Sequence, residues 1–343
     1  MGAELCKKYL DMWMKQILVK EGFCREQEEI NRDMIFNYQM KHLRETIRYA
    51  FDHSIFYRKK YLDILKQDDI PMLLMEDFRS LPYMSAEDLI NDGDQMVCSH
   101  MKDIERVVSL KTSGSTGFPK RIYFTGEDLK LTKDFFREGM KFLTAPNDLA
   151  YIGMPHNVPQ SIGRLLKEAL DESGVRSTYD IKTPGIQCIV GIPDEILKMA
   201  VSQDYSFLKR SVKTVLLSAD YVSDECKAKI QDLWDCQVFE HYGMTEMGLG
   251  CAVSCGMGKG YHIRENDLFI EIIHPLTEKE VDPGETGEIV FTTLTRTGMP
   301  LIRYRTGDYS TWISEPCECK SILKKMDKVQ CRNAKKAMKH VFE

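Results

Sequence analysis

The sequence has no apolar run of membrane-spanning length, no excess of basic charge, no internal repeat and no low-complexity linker. Each absence excludes a class. Without about 20 consecutive apolar residues, no transmembrane helix is expected. The opening stretch MGAELCKKYLDMWMKQ lacks the charged, apolar and small-residue order of a signal peptide. The formal charge of −5 comes from 47 basic and 52 acidic residues that are interspersed. That balance offers no basic face for nucleic acid. The expectation is a cytoplasmic protein that works on neither membranes nor nucleic acids. A disulfide framework is also disfavoured, because the eleven cysteines are scattered and odd in number. Free thiols together with one metal site is the stronger reading.

What is present is an ordinary globular composition. The chain has 343 residues, 43% hydrophobic and 29% charged, enough for a large core with subregions. Residues 1–66 read as helical. MKHLRETIRYAFDHSIFYRKKYL places Leu43, Ile47, Ala50 and Phe51 at helical spacing, as a helix packed on the body does. Around 105–124 the pattern becomes strand, loop, strand: ERVVSL, KTSGSTGFPK, RIYF. TGEDLKLTKDFFREGMKFL then reads as a helix with acids in its first turn. The 212–241 segment is an α/β unit: VKTVLLSA as a strand, Ser223 as N-cap before DECKAKIQDLW, and CQVFEHYG returning as a strand. From 266 onward come short strands and turns: DLFIEII, DPGETG, EIVFTTL, LIRYR. The expected fold class is α/β, with mixed sheets flanked by helices and a β-rich C-terminal portion. The expected divisions are a helical part over 1–100, an α/β core over 101–250, a β-rich part over 251–333 and a short basic tail over 334–343.

Three segments carry chemistry. The first is TSGSTGFPK, residues 112–120. Gly, Ser and Thr expose backbone N–H groups and hydroxyls that cradle phosphate oxygens, and Lys120 adds a point charge. It is not a Walker A loop, which needs four residues between its glycines and ends in Gly-Lys-Ser/Thr. A plain surface turn between two strands fits this composition equally well. The second is HYGMTEMG, residues 241–248. Tyr242 offers an aromatic face, Thr245 a hydroxyl and Glu246 a carboxylate suited to Mg²⁺ beside phosphates. The third is RYRTGD, where Asp308, read as lying on a loop after a strand, can accept from two ribose hydroxyls.

A fourth pattern points to zinc. Cys255 and His262 precede PCEC, with Cys317 and Cys319, by some sixty residues. A Cys-x-Cys turn plus Cys and His elsewhere suits a tetrahedral site, with Cys251 as an alternate ligand. Four protein ligands leave no position for substrate, so the zinc is expected to be structural. The competing reading is a set of free thiols in a reduced compartment.

The three segments, in this order, resemble the adenylate-forming superfamily of acyl-CoA synthetases, luciferases and adenylation domains. The likeness is tighter with the phenylacetate–CoA ligase and coenzyme F390 synthetase branch. LRETIRYAFDHSIFYRKKY, GETGEIVFTTLTRTGMPLIRYRTGD and LKKMDKVQCR carry it, over roughly residues 40–333. The resemblance implies that Ser113, Gly114, Ser115, Thr116, Gly117 and Lys120 grip the β- and γ-phosphates of ATP. Ala219 and Asp220 lie against the adenine, on which Tyr242 stacks. Thr245 touches the α-phosphate, Glu246 ligates Mg²⁺, and Asp308 and Arg332 hold the ribose. Gly243 and Met244, with Ala219 and residues 151–163, are expected at the acyl pocket and the nucleotide beside it.

The implied activity is ATP-dependent activation of a carboxylic acid, aryl or arylacetic by the resemblance, followed by transfer to CoA. Catalytic roles fall to Thr245, Glu246 and Lys120. The family's small lysine-bearing domain follows a hinge near Arg332, where the sequence continues only to Glu343. The expectation is therefore a large domain without its small partner, impaired alone or working with a separate small-domain protein. A homodimer is a further expected assembly. The alternative is a nucleotide- or acyl-adenylate-binding protein with little turnover, acting as a sensor or partner.

Overall fold

The computed structural model describes residues 7–110 and 119–330. Thirteen strands occur among them: β1 Ile104–Leu110, β2 Lys120–Thr125, β3 Leu149–Gly153, β4 Arg176–Thr178, β5 Cys188–Gly191, β6 Thr214–Leu217, β7 Gln237–Tyr242, β8 Ala252–Val253, β9 Tyr261–Ile263, β10 Leu268–Ile273, β11 Thr286–Thr293, β12 Tyr304–Ile313 and β13 Lys325–Met326. β1 and β2 form an antiparallel pair on either side of the 112–120 segment. The others join one sheet in the order β10-β11-β12-β13-β9-β8-β7-β6-β5-β3-β4. Strands β3 to β7 run parallel, and from β8 onward the neighbours are antiparallel. The sheet therefore continues unbroken across residue 250.

The parallel half is apolar on both faces because both are covered by helices. Successive side chains alternate between them. Ala150 and Ile152 of β3, Val190 of β5 and Phe239 of β7 pack with Met140, Leu166 and Leu170, on the face that carries helices Gly126–Met140 and Ile162–Glu172. Leu149, Tyr151, Val215, Leu217 and Val238 pack with Ile196, Ile230 and Trp234, from helices Pro193–Val201 and Asp224–Trp234. Helix Arg32–His53 buries Leu43, Ile47, Ala50 and Phe51 against β10–β12, as the helical spacing requires. No helix of the described residues is long and apolar enough to cross a membrane.

Helix starts follow local chemistry. Ser223 caps helix Asp224–Trp234 by accepting from the Cys226 N–H. Thr125 and Asp128 form a reciprocal box at the start of Gly126–Met140. One expectation needs correction. LIRYR is not a strand throughout: β12 begins at Tyr304, because Arg303 sits at φ 51°, a left-handed turn that breaks the ladder. Asp308 accordingly lies inside β12 and not on a loop after it. Gly307, at φ +75° opposite an irregularity in β11, supplies the local turn that re-aims the Asp308 side chain.

Candidate functional site

The expected chemistry converges at the C-terminal ends of β6 and β7, where an open α/β sheet offers a crevice. β7 ends at Tyr242, and the turn Gly243–Gly248 follows directly. Gly243 is demanded by close approach: a Cβ there would stand 2.8 Å from Gly250 Cα. Arg296 fixes this turn from behind, its Nη1 donating to the Glu246 carbonyl at 2.9 Å. Burial pulls the Arg296 guanidinium down to about 10. Its own segment is tied to helix Gly126–Met140 by Asp128, whose carboxylate accepts from the backbone N–H groups of Thr297 (2.9 Å) and Gly298 (3.0 Å).

Glu246 is 2% exposed and takes the Lys120 Nζ on its Oε1 at 2.5 Å. The two residues are 126 positions apart. The Lys120 ammonium also reaches the Tyr304 hydroxyl at 3.4 Å. Tyr242 donates its phenol to Asp308 Oδ2 at 2.9 Å. Burial first, then the adjacent Asp308 carboxylate, push that phenol well above its ordinary pKa, so it remains a donor. Thr245 is half-buried beside Glu246. Ala219 and Asp220 follow β6 and are both exposed; Ala219 holds φ 71°, a strained value for a residue with a Cβ. Lys120, Glu246, Tyr242 and Asp308 are thus joined in two bonded pairs, and Ala219 and Asp220 lie at the end of the strand beside them. Ser113, Gly114, Ser115, Thr116, Gly117 and Arg332 lie outside the described residues.

A carboxylate next to a hydroxyl suits Mg²⁺, which takes oxygen ligands and retains waters. Glu246 and Thr245 are such a pair, and Glu246 Oε1 is taken by the Lys120 ammonium.

An apolar cavity of about 40 Å³ lies beneath this edge, between the sheet and helices Gly126–Met140 and Ile162–Glu172. Met154 and Ile162 line it, within the expected 151–163 segment. Phe135, Phe136, Leu166 and Leu216 line it too and were not anticipated. Neither were its two polar members, Ser218 and His241, which hydrogen-bond each other at 2.9 Å between Oγ and Nδ1. Ser218 sits one residue past β6, and its neighbour Leu217 pairs with Glu240 on β7. Strand adjacency therefore sets this contact. Burial, then the nearby Arg264 cation, lower His241 to about 4, so its imidazole is neutral at pH 7.

The second cluster stands apart. The ligand atoms of Cys255, His262, Cys317 and Cys319 lie within 4.8 Å of one another, and all four residues are buried. Cys255 Sγ and Cys317 Sγ are 3.5 Å apart, and Cys319 Sγ is 3.2 Å from His262 Nε2. Cys251, the alternate ligand, is not among them: it is fully buried near Tyr242, and its thiol is pushed up to about 12 by that burial. No disulfide forms among the described residues.

No protein-family model matches the chain. Curated relatives do. The chain is 25% identical over 315 residues to a phenylacetate-coenzyme A ligase of Thermus thermophilus, covering 86% of this chain and 69% of that one. It is 24% identical over 319 residues to the phenylacetate-coenzyme A ligase of Escherichia coli, covering 86% and 70%. The chain is thus similar to phenylacetate–CoA ligases over most of its length. Its fold is that of adenylate-forming acyl-CoA ligases. It superimposes on 2-hydroxyisobutyryl-CoA ligase, solved with 2-HIB-AMP and CoA, at a TM-score of 0.76 with 19% identity, over 87% of this chain and 68% of that one.

Proposed function

We propose that this protein activates a carboxylic acid with ATP to an acyl-adenylate and passes the acyl group to the thiol of CoA. The observation that carries the reading is the joining of the expected motifs in space: Lys120 to Glu246, and Tyr242 to Asp308, by the C-terminal ends of β6 and β7 next to an apolar cavity. In the first step a carboxylate oxygen bonds to the α-phosphorus, the α–β anhydride bond breaks, and pyrophosphate leaves. In the second, the CoA sulfur bonds to the acyl carbon, the bond to AMP breaks, and the thiol proton passes to solvent.

The residues divide the work. Tyr242 presents its ring to the adenine and stays protonated through its bond to Asp308. Asp308 holds ribose hydroxyls from within β12. Ala219 and Asp220 border the base. Thr245 contacts the α-phosphate where charge develops. Mg²⁺, held by Glu246, would neutralise phosphate charge. Lys120, released from Glu246, meets the outer phosphates together with Ser113, Gly114, Ser115, Thr116 and Gly117, and Arg332 joins Asp308 at the ribose. Gly243 and Met244 bound the site between nucleotide and acid. Most of the rate comes from placing the two reactants together and offsetting charge.

The apolar lining favours acids with a compact, mostly apolar body, and the resemblance adds aryl or arylacetic acids as candidates. Cys255, His262, Cys317 and Cys319 hold a structural zinc, because four buried protein ligands leave no open position. Exchange of labelled pyrophosphate into ATP across a panel of carboxylic acids tests the first step. Acid-dependent exchange is expected; ATP binding with no exchange for any acid contradicts it. CoA-dependent AMP release with the best acid tests the second step.

A further inference from the structure

The acyl cavity is apolar except at one point. Phe135, Met140, Met154, Leu166, Val190 and Leu216 supply its walls, and among the described residues the Ser218–His241 pair supplies its one titratable side chain. His241 follows Phe239 by two residues on β7, so its ring emerges on the cavity face of the sheet. Nδ1 is occupied by the Ser218 hydroxyl at 2.9 Å. Nε2, on the far side of the ring, is buried without a hydrogen-bond partner among the described residues. It lies where the Phe135 ring meets Gly250, with the Phe135 and His241 centroids 5.8 Å apart. A Cβ on Gly250 would stand 2.2 Å from Phe135 and 3.1 Å from Nε2, so only a glycine fits here, and the Phe135 ring itself fills the space beside the nitrogen.

A buried ring nitrogen left unpaired is costly, and such groups normally find a partner. An apolar acid needs no imidazole in its pocket; Phe or Leu fills that space without the cost. We propose that the pocket takes a carboxylic acid with a compact apolar body bearing one oxygen substituent, a hydroxyl or carbonyl, that hydrogen-bonds His241 Nε2. This rests on the acid-activating reading above. The neutral ring serves either kind. With the Ser218 hydroxyl donating to Nδ1, Nε2–H donates to a carbonyl or hydroxyl oxygen. With Nδ1–H donating to Ser218, Nε2 accepts from a hydroxyl. The Phe135 ring turns aside to admit the substituent. Ser218 is a positioning residue, since it fixes the imidazole and does not meet the substrate.

The test uses matched acids that differ by one oxygen: benzoic and 4-hydroxybenzoic, phenylacetic and 4-hydroxyphenylacetic, isobutyric and 2-hydroxyisobutyric, butyric and 3-oxobutyric. Pyrophosphate exchange gives kcat/KM for each, with the wild type, His241→Phe, His241→Gln and Ser218→Ala. At least one oxygenated member is expected to exceed its partner by about 10-fold or more in the wild type. That ratio is expected to collapse in His241→Phe, to return in part in His241→Gln, and to shrink in Ser218→Ala through KM. Oxygen-blind kcat/KM across every pair, or a His241→Phe loss shared equally by both members, overturns the proposal. Calorimetric titration of the same acids separates this from failure of the parent reading. If no acid supports exchange, an oxygen preference in binding that disappears in His241→Phe sustains the pocket assignment, and its absence overturns it.

Discussion

Removing the metal from the Cys255–His262–Cys317–Cys319 cluster has a magnitude that follows from its geometry. Around a tetrahedral zinc, thiolate sulfurs at ~2.3 Å and an imidazole nitrogen at ~2.0 Å stand roughly 3.5–3.8 Å from one another. The sulfur pair at 3.5 Å and the sulfur–nitrogen pair at 3.2 Å are already near that spacing. The longest separation within the group, up to 4.8 Å, closes by about an ångström on binding. A zinc held here would clip the segment after β8 and strand β9 to the turn after β12. From His262 to Cys317 this closes a loop of about 55 residues, and a cross-link of that length removes unfolded-state entropy worth about 4 kcal/mol. Spread over the unfolding entropy of a chain of this size, that is a fall in Tm of about 6 °C. Metal analysis gives the stoichiometry, expected near one zinc per chain, and thermal melts with and without a strong chelator give the shift. Cys319→Ala should reproduce the chelated melt and be insensitive to chelator. Metal-free protein from zinc-replete medium, or a melt that ignores the chelator, would refute the clip.

Other perturbations have equally definite outcomes. Glu246→Gln should weaken Mg²⁺-dependent ATP binding by calorimetry while leaving metal-free nucleotide binding closer to the parent, and Lys120→Ala should weaken both. Tyr242→Phe removes the donor to Asp308 and should lower stability by about 1.5–3 kcal/mol in a denaturant titration, the loss of a hydrogen bond to a charged group. Asp128→Ala strips a buried carboxylate from backbone N–H groups at Thr125, Thr297 and Gly298, and should cost about 3–5 kcal/mol in a denaturant titration. His241 titrates near 6.5 when unfolded and about 4 when folded, so the unfolded chain binds the extra proton between those values. Stability from this group is complete above pH 6.5 and falls by about 3 kcal/mol as pH drops toward 4. His241→Gln should flatten stability across that window.

The legible parts of this protein were local. Ser223 before an acidic helix start, the alternation in VKTVLLSA and the helical spacing of Leu43, Ile47 and Phe51 each specify an element through short-range chemistry. The Cys255, His262, Cys317 and Cys319 set was legible because such residue types at short spacing are rare, and the fold brings these four together without the alternate Cys251. Asp308 was found but misplaced, since only the left-handed Arg303 and Gly307 reveal where β12 starts and turns. The Lys120–Glu246 pair spans most of the α/β half and leaves no mark in either motif alone. His241 was passed over beside Tyr242. The available signal was a histidine two residues after Phe239, on a strand face that otherwise packs against helices. Phe135 and Phe136 read only as helix, because the cavity they wall is made by β6 and β7 about a hundred residues later.

The most direct test follows the oxygen atom. With a carboxylic acid labelled with ¹⁸O in both carboxyl oxygens, turnover through an acyl-adenylate places one labelled oxygen in AMP, because the carboxylate oxygen bonds to the α-phosphorus and stays with it when the acyl–oxygen bond breaks. Mass spectrometry of the nucleotide product should therefore show AMP heavier by one ¹⁸O and pyrophosphate unlabelled. Unlabelled AMP, or label appearing in ADP or phosphate, would contradict acid activation at the Tyr242–Asp308 and Lys120–Glu246 edge.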